Sequence, residues 1–181
     1  MATTISRRLV IDASIASAAG GNGSPDQVGR KCRDVLLSIL NRSHRIIMTD
    51  KIATEWDAEQ SRFAAKWRRN MEGHRQTLWL TPEQMAKINL DLANVPVGLW
   101  QRNRMQEDLH LVRAAIRTDS ILLSLDDEAR GLFAAAVTAL PALGSIMWIN
   151  PREEANPALW IDKGAPTQES RMLRNYAPGT V

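Results

Sequence analysis

The sequence predicts an α/β fold, a three-layer α/β/α sandwich around a central parallel sheet. Three observations carry this. The short runs Leu9-Val10-Ile11, Ile46-Ile47-Met48 and Ile121-Leu122-Leu123 are apolar on both faces, as parallel strands covered from both sides must be. Segments of helical periodicity separate them, in the strand–helix order that builds a parallel sheet. The chain has 181 residues, 44% hydrophobic and 24% charged, enough for one hydrophobic core and ordinary for a water-soluble domain.

In order, residues 8–15 read as the first strand and the glycine-rich residues 20–25 as a loop. A helix is expected over 26–41, because Val28, Cys32, Val35 and Ile39 recur at helical spacing. Residues 45–49 form a second strand, and Thr49 or Asp50 can cap the basic helix expected over 52–73. Leu78-Trp79-Leu80 reads as a short strand, and Thr81-Pro82-Glu83 starts a helix that residues 94–98 break. Met105, Leu109, Val112 and Ile116 then form one helical stripe. Asp108 lies about 60° from its centre by the helical repeat, at the edge of a buried face and in the first helical turn. Residues 118–119 turn, 121–125 form a strand, Asp127 can cap a helix over 128–140, and 144–149 form a further strand. Residues 1–150 are therefore read as one domain. Residues 151–181, with four prolines, are read as an irregular tail or docking arm, although Leu159-Trp160-Ile161 calls for burial.

Several classes are excluded. The longest uncharged apolar stretch, 131–149, is broken by Gly, Thr, Pro and Ser and reads as helix, turn and strand, not a membrane span. Residues 1–8 lack the apolar centre of a signal peptide, and a single cysteine, Cys32, allows no internal disulfide; both point to the cytoplasm. No Cys/His cluster has zinc spacing. Net charge is only +3, but basic residues gather in two sets. The first holds Lys66, Arg68, Arg69, His74 and Arg75, and the second Arg102, Arg104, Arg113 and Arg117. Either set suits a phosphate backbone or is simply a solvated helix face.

The chemistry rests on acids. Asp12 and Asp126 close apolar runs, Glu55 sits on the helix after another, and Asp108 starts the helix leading into the strand of Asp126. Open parallel sheets bind ligands beyond the carboxyl ends of their strands, so these residues can meet in one crevice. Four carboxylates there cannot all stay ionised without a cation, and hard oxygen ligands suit Mg²⁺ or Mn²⁺. Taken singly, each acid has a plainer role: a turn for Asp12, and a surface helix for Glu55 among Asp50, Asp57 and Glu59. Asp108, next to Glu107, would favour a helix N-terminus, and Asp126 or Asp127 would be a cap. Asp126 is assigned to the site because it directly follows the strand, and Asp127 to the cap or an outer metal contact. Ser14 and Ser124, each two residues from an acid, can orient a carboxylate or a metal-bound water, or be ordinary turn serines. His110 does not face Asp108 on a helix and is set aside as structural or substrate-facing. His44 reads as a helix-end residue. Most of the six tryptophans read as core, with Trp67 the best candidate for stacking on a base.

The four pieces Leu9-Val10-Ile11-Asp12-Ala13-Ser14, Ile52-Ala53-Thr54-Glu55-Trp56, Glu107-Asp108-Leu109-His110 and Ser124-Leu125-Asp126-Asp127, in this order and spacing, resemble a PIN domain across about residues 7–150. The resemblance implies an α/β/α sandwich and an Mg²⁺- or Mn²⁺-dependent endoribonuclease that cleaves RNA with a metal-activated water. It maps the family's acidic positions onto Asp12, Glu55, Asp108 and Asp126, with Ser14 at the small hydroxyl position. It also implies homodimers and, for many small bacterial members, a toxin with a cognate antitoxin or other regulatory protein. The glycine-rich loop, residues 67–104 and the segment after Pro151 depart from that compact toxin type. Asp127 and Ser124 would assist, and Lys66, Arg68, Arg69, Arg75, Arg104 and Arg113 would position the RNA backbone. The alternative is a non-catalytic PIN-like module that binds RNA or protein. A haloacid-dehalogenase-type phosphatase would need an aspartate where Ser14 stands, and no phosphate-binding loop ending in Lys-Ser or Lys-Thr follows a strand.

Overall fold

Five parallel strands lie in the order β3-β2-β1-β4-β5 in a computed structural model that describes residues 6–20 and 26–177. They are β1 (Arg8–Ile11), β2 (Arg45–Met48), β3 (Thr77–Trp79), β4 (Ile121–Leu123) and β5 (Met147–Ile149). Register pairs Val10 with Ile47 on one side and with Leu122 on the other, so β1 is the central strand. Its residues Leu9, Val10 and Ile11 are fully buried, as both-face apolarity requires. Eight α-helices accompany the sheet among the described residues. α1 (Ala13–Ala18), α2 (Gln27–Asn41), α3 (Asp50–Glu59), α4 (Arg62–Gly73) and α8 (Pro157–Asp162) pack with one another on one side. α6 (Leu99–Arg117) packs on β1 and β4 together with α7 (Asp127–Ala135), and α5 (Pro82–Ala86) joins α6. The expected α/β/α sandwich is what forms.

The chain runs outward from β1 to β3, then returns to start β4 on the other side of β1. The adjacent ends of β1 and β4 are therefore the switch point of the sheet, where neighbouring connections diverge and leave a crevice.

Several element boundaries differ from the sequence reading: α5 ends at Ala86, β4 at Leu123, α7 at Ala135, and β5 starts only at Met147; four further differences bear on the site. β1 stops at Ile11, because Asp12 is the N-cap of α1 and the Ala-rich segment behind it prefers helix. Ser14 is thus in a helix, not on a continuing strand. The basic helix expected over 52–73 is two helices, α3 and α4, split at Ser61. The Ser61 hydroxyl donates to the Ala16 carbonyl (2.8 Å) and accepts from the Ala64 N–H (3.2 Å). α6 begins nine residues before Asp108, so Asp108 sits mid-helix and not in the first turn. The first turn of α6 carries the exposed Leu99 and Trp100 and makes no apolar stripe, which hides the start from a periodicity argument. Asp126, and not Asp127, caps α7, its Oδ1 accepting from the Ala129 N–H at 2.8 Å. Gly20 apart, the glycine-rich loop lies outside the described residues.

Residues 152–177 pack against the rest of the fold through one short α-helix and two 3-10 turns. Asn156 caps α8, Pro157 stands in its first turn, and the helix lies on α2 with Trp160 and Ile161 buried. Further on, the Leu173 N–H donates to the Ile146 carbonyl (2.9 Å), and Met172 bridges Met147. Four tryptophans, Trp56, Trp67, Trp148 and Trp160, are buried, while Trp79 and Trp100 are exposed. Trp67 stacks on Trp56 with ring centroids 6.0 Å apart and donates from Nε1 to the Leu36 carbonyl, so it is core and not a base platform. Among the described residues, no helix is long and apolar enough to cross a membrane.

Candidate active site

Asp12, Ser14, Glu55, Arg104, Asp108 and Asp126 line one cleft of about 280 Å³ at the β1/β4 switch point. Asp12 is held from α1 and from the end of β4. Its Oδ2 accepts from the Ser14 hydroxyl (2.5 Å) and from the Ser124 hydroxyl (2.7 Å). Each hydroxyl oxygen in turn accepts a backbone N–H at the end of β4, Ser14 from Leu125 (3.2 Å) and Ser124 from Asp126 (3.0 Å). The Asp12 carboxylate makes no side-chain cap of its own helix, so its orientation is set by this network. The two serines do orient a carboxylate, the same one in both cases.

Asp108 enters from α6. Burial first, and then the carboxylates of Asp12, Asp126 and Glu55, push its pKa up to about 7 against the opposing pull of Arg104. Glu59 also lines the cleft, one helical turn from Glu55 on α3, which places five carboxylates around one guanidinium. That guanidinium is Arg104. It donates to Glu107 (2.7 Å), to Asp108 (3.4 Å) and, at very close range, to Asp126. Arg104 therefore neutralises the acids directly, where the sequence assigns it to a phosphate backbone.

Glu55 faces His110 across 55 residues of sequence, with Oε2 and Nε2 2.8 Å apart. The other ring nitrogen, Nδ1, lies 2.9 Å from the Glu107 carbonyl, which can only accept, so Nδ1 carries a proton. Burial and Lys51 push the His110 pKa down to about 4, and burial raises that of Glu55. This pairing, which helix geometry around Asp108 could not reveal, leaves Glu55 partnered without a metal ion. Lys51 is a second residue the sequence did not single out, although its i,i+4 spacing from Glu55 was a signal: Nζ lies 3.8 Å from Oε1 and donates to the Glu107 carbonyl at 2.8 Å.

Other expected residues lie elsewhere. Asp127 accepts from Asn150 (2.7 Å) at the end of β5 and does not line the cleft. Lys66, Arg68, Arg69 and Arg75 lie on or just after α4, whose C-terminal end feeds the start of β3 at the opposite edge of the sheet. Arg68 is paired with Asp57 (2.9 Å) and Glu72 (3.5 Å). Arg113 lines a second cavity beside the cleft. Cys32 is buried in α2, where burial pushes its thiol up to about 12 and keeps it inert.

Among the described residues, no three histidine, cysteine or carboxylate side chains stand close enough to form a ready-made metal cage. Mg²⁺ does not require one: it keeps several waters and is commonly held through one or two carboxylates and the substrate phosphate. The donors fit that mode, with acidic oxygens in excess over cationic groups, and they do not fit tetrahedral zinc. No protein-family model, curated protein or solved structure matches this chain.

Proposed function

We propose that this protein is a metal-dependent endoribonuclease of the PIN type, hydrolysing RNA at the β1/β4 crevice. The observation that carries the reading is the meeting of Asp12, Glu55, Asp108 and Asp126, from four separate elements, in one cleft at the switch point of a parallel sheet. Asp12, Asp108 and Asp126 would hold Mg²⁺ or Mn²⁺; Glu55, tied to His110, contributes less. Such a cation supplies an acidified water and offsets charge on the phosphodiester. The chain's own residues do the rest. Ser14 and Ser124 hold Asp12 in one orientation, and Arg104 is within reach of a phosphate once it leaves Asp126. Water adds at phosphorus, one P–O bond breaks, and the leaving oxygen takes up a proton. Contacts to backbone phosphates carry no base information, so little sequence selectivity is expected from the cleft.

The test is cleavage of end-labelled RNA with Mn²⁺. Asp12→Asn should abolish it, and Ser14→Ala or Ser124→Ala should each cost about 10–100-fold, as for groups that orient a metal ligand. Equal activity in wild type and Asp12→Asn, or none in either on RNA and single-stranded DNA, ends the proposal.

One observation favours a second reading, a non-catalytic PIN-like module that binds RNA or protein: Arg104 already satisfies Asp126 and Asp108. Calorimetric titration with Mn²⁺ separates the two. If the cleft takes a cation, wild type binds Mn²⁺ and Arg104→Gln binds it at least about tenfold more tightly, because a competing charge is gone. Absence of Mn²⁺ binding in both proteins favours the module.

A further inference from the structure

We propose that the cavity beside the acidic cleft is a subsite for one nucleotide of the bound strand. It would seat the base on an apolar wall and the phosphate on a cationic rim. The cavity is about 370 Å³, within the range of pockets that hold small ligands. It opens beyond the carboxyl ends of β2 and β3, where Thr49 and Leu80 follow the two strands. The acidic cleft opens beyond β1 and β4, so both lie along one edge of the sheet. Leu80, Met85 and Ala86 form the apolar side. α5, which carries Met85 and Ala86, is fixed by a reciprocal cap in which the Thr81 N–H donates to Gln84 (2.9 Å) and the Gln84 N–H to Thr81 (3.3 Å).

Lys51, His110 and Arg113 form the other side. Arg113 is the decisive residue. Its Nε is buried without a hydrogen-bond partner, and no carboxylate pairs with it among the described residues. No carboxylate among the described residues neutralises this half-buried guanidinium, and its terminal nitrogens offer donors that a phosphate in the cavity can accept. Asp50 also lines the cavity and offers an acceptor to ribose hydroxyls. Two residues link the cavity to the cleft. His110 lines the cavity and contacts Glu55, which lines the cleft, and Lys51 lies 3.8 Å from the same carboxylate. A strand with one phosphate in the cleft would continue past His110 and Lys51 toward this cavity. The choice of a strand over a free nucleotide rests on the nuclease reading.

The experiment is calorimetry on the full chain in EDTA with UMP, AMP, uridine and inorganic phosphate. A displacement arm uses an RNA tetranucleotide. The mononucleotides should bind, with inorganic phosphate at least about tenfold weaker, since it leaves the apolar wall bare. Arg113→Gln should weaken binding about tenfold. Ala86→Trp, at an exposed rim position, should abolish binding with an unchanged melting curve. The tetranucleotide should displace UMP. The subsite is overturned by no mononucleotide binding, by phosphate binding equally well, by indifference to both substitutions, or by failure of the tetranucleotide to compete. Asp12-dependent cleavage without mononucleotide binding removes the subsite and keeps the nuclease. Competing mononucleotide and tetranucleotide binding without cleavage does the reverse.

Discussion

His44 illustrates how a single side chain acquires a role that composition does not suggest. The sequence places it at the end of α2, where a cationic ring would suit the helix dipole. In the fold it is completely buried, and both nitrogens are committed. Nδ1 accepts from the Arg7 N–H (2.9 Å), and Nε2 donates to the Ile161 carbonyl (3.1 Å). The ring is a neutral connector between the N-terminal segment, α2 and α8. Burial, the leading cause, lowers its pKa below the ordinary 6.5. A histidine with a depressed folded-state pKa leaves the unfolded chain binding more protons, so stability rises with pH. The contribution is whole above about pH 6.5 and is lost as pH falls toward the folded-state value. Urea midpoints should therefore drop between pH 7.5 and pH 5. His44→Asn keeps the acceptor for Arg7 but not the donor to Ile161. It should cost about 1–3 kcal/mol at pH 7.5 and flatten the pH dependence; equal slopes in the two proteins would refute the assignment.

At the scale of elements, two helical glycines make opposite forecasts from the same propensity. Gly131 lies inside α7 with nothing within 4 Å of an added Cβ. Gly131→Ala should stabilise by about 0.5–1 kcal/mol, the backbone entropy that glycine forfeits in a helix. Gly29 lies in α2, where an added Cβ would stand 2.8 Å from the Ala18 carbonyl at the end of α1. That atom is backbone and cannot swing aside. Gly29→Ala should therefore destabilise by about 1–3 kcal/mol despite the propensity gain, because overpacking outweighs it. Denaturant midpoints of the two variants, read side by side, check both signs. Helix α6 carries the other lesson of this scale. Its stripe of Met105, Leu109 and Val112 was legible and is buried, and Asp108 does lie at the edge of that face. Its start was not legible. The exposed first turn is held by other means: the Gln101 side chain accepts from the Gly98 N–H (2.7 Å), and Arg102 donates to the Leu92 and Val95 carbonyls.

For the whole molecule, residues 152–177 pack on both sides of the sheet, α8 on α2 and the stretch around Met172 and Leu173 against α7 and the edge strand β5. Trp160, Ile161, Met172 and Leu173 are buried there. At about 1.5–3 kcal/mol each for full burial, their loss rivals the total stability of an ordinary domain, about 5–15 kcal/mol. A chain ending at residue 150 also loses the Ile161 acceptor of His44 and the Leu173 bond to Ile146. It should lack a cooperative thermal transition by circular dichroism. A sharp transition within a few degrees of the intact chain would show the segment to be dispensable.

The sequence by itself determined the class of fold, the strands and most helices, and which acids end apolar runs. These are local properties: apolarity on both faces, helical spacing and capping residues act over a few positions. Asp12 and Asp126 were visible for that reason, since each directly follows or nearly follows a strand. Only the tertiary structure decided what those acids meet. The order β3-β2-β1-β4-β5 makes β1 and β4 neighbours, and that adjacency brings Ser124 to Asp12 over 112 residues. It decided that Arg104 answers the charge of Asp108 and Asp126, that Glu55 meets His110, and that α4 with its basic residues runs to the opposite edge of the sheet. Charge and hydrogen-bond partners are fixed by distance in space, and no spacing along the chain encodes a distance across the sheet.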